Sequence, residues 1–195
     1  MRRHVLVAIR LALVTAVLLG LAYPLAVTGL AQLIFPRQAN GSLVTVGNQV
    51  IGSALIGQQF TRSEYFHPRP SAAGRGYDAT ASGGSNLGPT SRTLARRVAG
   101  STVRMTKENP GLTARKIPAD MVTASASGLD PDISPANAYA QVARVARVRH
   151  MSEDRVRRFV VANVTDRQFG LLGEPRVNVL RLNLALDAAQ RTSIE

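Results

Sequence analysis

From Leu11 to Ile34 the chain reads LALVTAVLLGLAYPLAVTGLAQLI, 24 residues without a formal charge. At a helical rise of about 1.5 Å per residue this reaches roughly 36 Å, more than the roughly 30 Å hydrocarbon core of a bilayer. The pattern predicts a membrane-spanning helix. A cleaved secretory signal also begins with basic residues and an apolar run, but its core extends over only about 7 to 15 residues. No small-x-small site closes this run before Gln32, so the reading is a retained anchor. Within it, Ala12, Ala16, Gly20 and Pro24 place a small or helix-breaking residue at every fourth position, continued by Thr28 and Gln32. Such a row lets another helix approach closely. Pro24 removes one backbone donor and frees the Gly20 carbonyl, which predicts a kink there.

Beyond the anchor the hydrophobic period changes several times. LVTV and GNQVIG predict a hairpin with Gly47 and Asn48 at its bend, and SALIGQQF continues an apolar, strand-rich piece to Phe60. Residues 62–91 scatter Tyr65, Phe66, Tyr77 and Leu87 among Gly, Pro, Ser and Arg, which predicts an ordered loop of about thirty residues. Leu94, Val98 and Met105 fall at helical spacing from Thr93 to Lys107, and Asn109-Pro110-Gly111 ends that helix. MVTASA at 121–126 reads as a short strand. Ser134 as cap, Pro135 at the first helical position and an Ile133–Ala138 staple predict a helix to about Arg149. Ser152 starts another, with Val156, Phe159, Val160 and Val164 on one face. Leu180, Leu182, Leu184 and Leu186 alternate with Arg181, Asn183, Ala185 and Asp187, which predicts a strand with one buried face. The fold class is therefore α+β: one N-terminal transmembrane helix, then a single mixed α/β domain.

Charge gives the arrangement a direction. Arg2, Arg3 and Arg10 precede the span and Arg37 follows it, so the excess of arginine at the amino side predicts a cytoplasmic amino end. The expected organisation is residues 1–10 inside, 11–35 in the membrane and 36–195 as one extracytoplasmic domain, about the size of a domain with its own core. Net charge is +12, with 24 basic and 12 acidic residues. That suits anionic lipid or an acidic partner subunit, and placement outside the cell disfavours nucleic acid. Cysteine is absent, so neither disulfides nor thiolate chemistry contribute.

Candidate chemistry is sparse. The loop SGGSNLGPT lacks the lysine of a phosphate-cradling motif, because Pro89 stands in its place, and it lacks the second glycine of a nucleophile elbow, because Leu87 does. Ser85, His67 and Asp78 remain as components of a serine hydrolase, the first rival reading. The second is a DNA-binding regulator, drawn from Arg144, Arg147, Arg149, Arg155, Arg157 and Arg158 on the paired helices. These arginines read instead as a solvated or subunit-facing surface filling the faces the valines leave. Ser82, Gly83, Gly84, Ser85 and Asn86 read as a turn whose side chains bond backbone groups. His4, His67 and His150 lie too far apart in sequence to suggest a metal site, and Asp130 and Asp132 lack the rest of a calcium loop.

Several stretches together resemble the KdpC family, the C subunit of the Kdp potassium-transporting P-type ATPase: NGS at 40–42, GSALIGQQF at 52–60, YFHPRPSA at 65–72, ASGGSNLGPTS at 81–91, VTASASGLDPDISPANAYAQVARVA at 122–146 and LGEPRVNVLRLNLALD at 172–187. The match is weakest from Arg92 to Lys116, and no role is carried onto that helix. The resemblance implies a non-catalytic subunit of a bacterial inner-membrane complex. Its partners would be the channel-like subunit KdpA, the ATP-hydrolysing subunit KdpB and the small subunit KdpF, with membrane lipid around the anchor and no nucleic acid. It implies no cofactor of this chain's own: potassium is carried by the partners, and ATP is met only with the hydrolysing one. It also implies a chaperone-like role that raises ATP affinity, with Gln141 as the matching nucleotide contact.

Overall fold

The computed structural model describes residues 1–191. It divides into two compact units, Met1–Ser53 and Ala54–Glu195.

The first unit is a helix followed by a hairpin. Arg2–Ile34 is helical throughout, 33 residues with a mean hydropathy of 2.5 in its most apolar window and none of that window buried. This is long and apolar enough to cross a membrane. It consists of α1 (Arg2–Val17), a π-helical turn (Leu18–Ala22) and α2 (Tyr23–Ile34). The disturbance expected at Pro24 takes the form of that turn. The Tyr23 N–H reaches back five residues to the Leu18 carbonyl, and Pro24, which has no N–H to donate, follows at the second position of α2. A single turn, α3 (Pro36–Ala39), follows, and the Asn40 amide ties it down by donating to the Pro36 carbonyl at 2.7 Å and to Gln32 Oε1 at 3.1 Å. β1 (Leu43–Val46) and β2 (Gln49–Ser53) pair antiparallel across Gly47-Asn48, the predicted bend. Gly47 has φ +58°, a left-handed value that a two-residue hairpin turn demands at its first position.

The second unit packs helices against a small sheet. After an irregular stretch come α4 (Arg92–Glu108), a short α5 (Ala119–Val122), β3 (Asp132–Ile133), α6 (Pro135–Val148), α7 (Glu153–Ala162), β4 (Val164–Thr165), β5 (Arg176–Asn178) and α8 (Val179–Arg191). The strands lie in the order β3-β5-β4, all antiparallel. The core joins Val142 and Val145 of α6, Val156 and Val160 of α7, Leu182 and Leu186 of α8, Val177 of β5, Ile133 of β3 and Phe66 from the loop. Both predicted caps form: Ser134 Oγ accepts from the Asn137 N–H, and Ser152 Oγ from the Arg155 N–H.

Three strand expectations fail, and one helix ends earlier than expected. Leu180–Asp187 is helix, not strand, because Val179, Leu182, Asn183 and Leu186 are buried at intervals of three and four. Four alternate leucines match a period of two, and on a helix they fall on opposite sides, so the leucines by themselves point to a strand. Against that stand Leu, Ala, Arg and Gln, which favour helix, and the absence of β-branched residues from Leu180 to Gln190. MVTASA begins in the one-turn helix α5 and continues as irregular chain, in which Ser125 is buried and its hydroxyl accepts from the Gly128 N–H at 2.9 Å. SALIGQQF leaves β2 after Ser53 and becomes turn and irregular chain. Val164 lies beyond α7, in β4, although it still packs against the core.

Candidate functional site

The irregular segment Ser63–His67 has no strand to pair with, yet buried side chains hold its five successive carbonyls. Phe66 anchors it, with none of its surface exposed. The Asn183 amide then pairs with the Phe66 backbone, accepting from its N–H at 2.8 Å and donating to its carbonyl at 3.0 Å. Gln141 treats His67 in the same way, at 2.7 and 3.0 Å. Arg144 Nη1 donates to the carbonyls of Ser63 and Tyr65, and Arg149 Nε to that of Glu64 at 2.7 Å. Side-chain amides thus substitute for a sheet neighbour, and the backbone groups that burial would otherwise leave unpaired are satisfied.

These clamps are themselves fixed. Gln141 Nε2 also donates to Asn137 Oδ1 at 2.8 Å, and Gln141 Oε1 also accepts from Arg144 at 2.6 Å. An amide offers two donors and two acceptor lone pairs, so Gln141 is fully engaged within the chain. A nucleotide contact by Gln141 requires one of these bonds to be given up. The Asn137 amide donates in turn to Asp120, whose carboxylate accepts from the Ser134 N–H and hydroxyl as well. Arg149 forms an ion pair with Asp187 at 2.7 Å, and Asp187 also accepts from the Tyr65 hydroxyl. Arg144 Nε donates to Asn109 at 3.1 Å. Burial lowers the Arg144 pKa to about 10, against the opposing pull of Glu108, so it remains charged at neutral pH.

The clamped loop leads into a cavity of about 450 Å³ lined by His67, Arg69, Tyr77, Met105, Glu108 and Gln141, among others. The His67 Nε2 lies 3.1 Å from the Arg62 carbonyl, and its Nδ1 lies 3.9 Å from Glu108. Burial, then the charge of Arg144, pushes the His67 pKa below its ordinary value, so the ring is neutral at neutral pH and donates to Arg62. Arg69 pairs with Asp130 at 2.9 Å, while its own carbonyl accepts from the Tyr77 hydroxyl. Burial, reinforced by Asp130, raises the Tyr77 pKa and keeps its hydroxyl protonated as that donor.

The remaining residues singled out in the sequence fall in separate places. Ser82 donates to the Ser127 carbonyl at 3.0 Å, and the Gly83 N–H joins it at 2.9 Å. A Cβ on Gly84 would stand 2.9 Å from the Ala126 carbonyl oxygen, so this turn accepts no side chain there. Asn86 sits at φ +51°, and Ser85 lines a second cavity. Asp78 accepts from the Thr80 N–H and hydroxyl, so Ser85, His67 and Asp78 do not form a hydrogen-bonded triad. Ala12, Ala16, Gly20 and Pro24 lie on the exposed apolar helix, and a Cβ on Gly20 would meet nothing within 4 Å. Among the described residues no three His, Cys, Asp or Glu side chains gather as metal ligands.

One correction concerns the arginines of α6 and the α6–α7 junction. Arg144 and Arg149 were expected on a solvated or subunit-facing surface, but they are 2% and 5% exposed and hold the 63–65 carbonyls. The sequence carried a signal for this: Asn137, Gln141 and Arg144 form a polar stripe at helical spacing beside the apolar stripe Ala138, Val142 and Val145. Asn183 gave no such signal once its segment was read as a strand.

Fold and site define a class: a mixed α/β domain preceded in the chain by one long apolar helix, with its interior polar groups committed to ordering its own loop. The family follows from sequence comparison. The model described as KdpC, the c chain of the K+-transporting ATPase, matches residues 5–188. A potassium-transporting ATPase KdpC subunit of Myxococcus xanthus is 62% identical over 183 residues, 93% of this chain and 86% of the relative. Those of Acidobacterium capsulatum and Gemmatimonas aurantiaca are 58% identical over 184 residues and 56% over 194, covering 94% and 99% of this chain and 97% and 96% of the relatives. The chain belongs to the KdpC family.

Proposed function

We propose that this chain is the accessory, non-catalytic subunit of a high-affinity, ATP-driven potassium uptake complex in a bacterial inner membrane. One helix anchors it, the amino end is cytoplasmic, and the domain stands outside. Its work is to assemble and stabilise the other subunits: KdpA and KdpB, which carry potassium and hydrolyse ATP, and the small subunit KdpF. Family membership supports this reading. The observation that carries it is that the buried polar groups Gln141, Arg144, Arg149 and Asn183 are bonded to the chain's own backbone, as suits a scaffold for binding more than a reactive site.

A chaperone-like effect on ATP affinity belongs to the same proposal, with Gln141 as the residue through which it acts. ATP itself is held by the hydrolysing partner. Recovery of the tagged chain from native membranes is the direct test: the partner subunits should co-purify, and isolation of the chain alone under conditions that preserve membrane complexes would defeat the assembly reading. Protease added to intact spheroplasts should digest the chain beyond Arg37. Full protection would defeat the topology.

A further inference from the structure

Helix α4 presents a set of unneutralised charges. Arg97, Gly100, Ser101 and Arg104 recur at intervals of three and four and so share a face, with Arg96 one turn before Gly100. That face lines a cavity of about 710 Å³ whose other walls bring Arg75 and the Gly84-Ser85 turn. The lining contains four arginines, Arg75, Arg96, Arg97 and Arg104, and no acidic residue. Among the described residues the side chains of these four make no hydrogen bond or ion pair, whereas those of Arg62, Arg69, Arg149, Arg157, Arg167 and Arg176 all pair with carboxylates. Arg75 and Arg104 also border the 450 Å³ cavity, whose Glu108 is the one carboxylate in its lining.

Like charges placed together repel, and each exposed guanidinium can fork two hydrogen bonds onto a carboxylate. Gly76 and Gly100 line the same space, and a Cβ on either would meet nothing within 4 Å. All four arginines are exposed, three on α4 and Arg75 on the facing loop. A single small oxyanion is best held by donors that converge on one shielded point. An open cavity of this volume with separate guanidinium groups suits several carboxylates carried on one chain.

We propose that this cavity is a docking site for an acidic segment, bearing at least two Asp or Glu side chains, of another subunit of the complex. The proposal rests on the assembly reading above and adds the surface and the chemistry of contact.

The test uses the full-length tagged chain, co-expressed with its partner subunits in cells lacking their own copy. Arg97→Glu with Arg104→Glu should lower partner recovery about tenfold at roughly 0.15 M salt. Arg97→Lys with Arg104→Lys should retain most of it. Arg147→Glu with Arg158→Glu, exposed on α6 and α7 away from the cavity, should leave it unchanged, and thermal melts should report equal folding. If the unmodified chain recovers no partner, the assembly reading fails. If it does recover partners and the Arg97/Arg104 reversal recovers as much, or the Arg147/Arg158 control loses as much, the docking site alone is overturned. Stabilisation of the unmodified chain by millimolar pyrophosphate that the reversal abolishes would also overturn it, in favour of a small-oxyanion site.

Discussion

Arg144 carries a full charge into the interior with no carboxylate bonded to it. Its charge is shared among two backbone carbonyls, Asn109 and Gln141, and the general field of Glu108. A planar fork of donors suits that task, and an ammonium does not. Arg144→Lys should therefore lower stability almost as much as Arg144→Met, by roughly 2–4 kcal/mol, because both leave buried acceptors unpaired. Thermal melts of the full chain in detergent measure this, and a lysine variant within experimental error of the unmodified protein would refute the fork argument. His67 gives a pH prediction. Its folded pKa lies below the ordinary 6.5, so the unfolded chain binds its proton more tightly. Its contribution to stability is complete above pH 6.5 and declines as the pH falls through that value toward the folded one. An NMR titration of the His67 ring should have its midpoint below 6.5, and a midpoint at or above that value would contradict the buried, neutral ring.

Among the elements, α8 shows why periodicity alone misleads. Its four leucines alternate as a strand's would, and the difference falls on Asn183, which faces solvent in the strand reading and the Phe66 backbone in the helix. Asn183→Ala should cost about 2–3 kcal/mol by orphaning that N–H and carbonyl, while Arg181→Ala, two positions earlier and exposed, should stay within about 0.5 kcal/mol. Equal effects in denaturant melts would restore the strand reading. The caps of α6 and α7 and the Gly47-Asn48 turn were legible because they depend on neighbours within four residues. The clamps were not, since Gln141 meets His67 across 74 positions and Asn183 meets Phe66 across 117.

For the whole molecule, assembly in lipid has little hydrophobic drive between helices and depends on close packing. If the Ala12, Ala16, Gly20 row is a contact face, Gly20→Leu should still insert, recover less of the partner subunits and support potassium uptake poorly at low external potassium. Leu19→Ala on another face is the control, and undiminished co-purification of Gly20→Leu would remove the row from the assembly surface. The sequence by itself determined the apolar helix and the place where Pro24 disturbs it, the hairpin, the caps of α6 and α7, and the family. Each depends on local composition, on spacing within a few residues, or on motifs read in order along the chain. Tertiary structure alone decided that Leu180–Asp187 is helical, that Gln141, Arg144, Arg149 and Asn183 are committed to one short loop, and that Arg75 joins three arginines of α4 around one cavity. The physical reason is common to all three: burial and the pairing of polar groups are set by chain segments distant in sequence, and no local pattern specifies which segments those are.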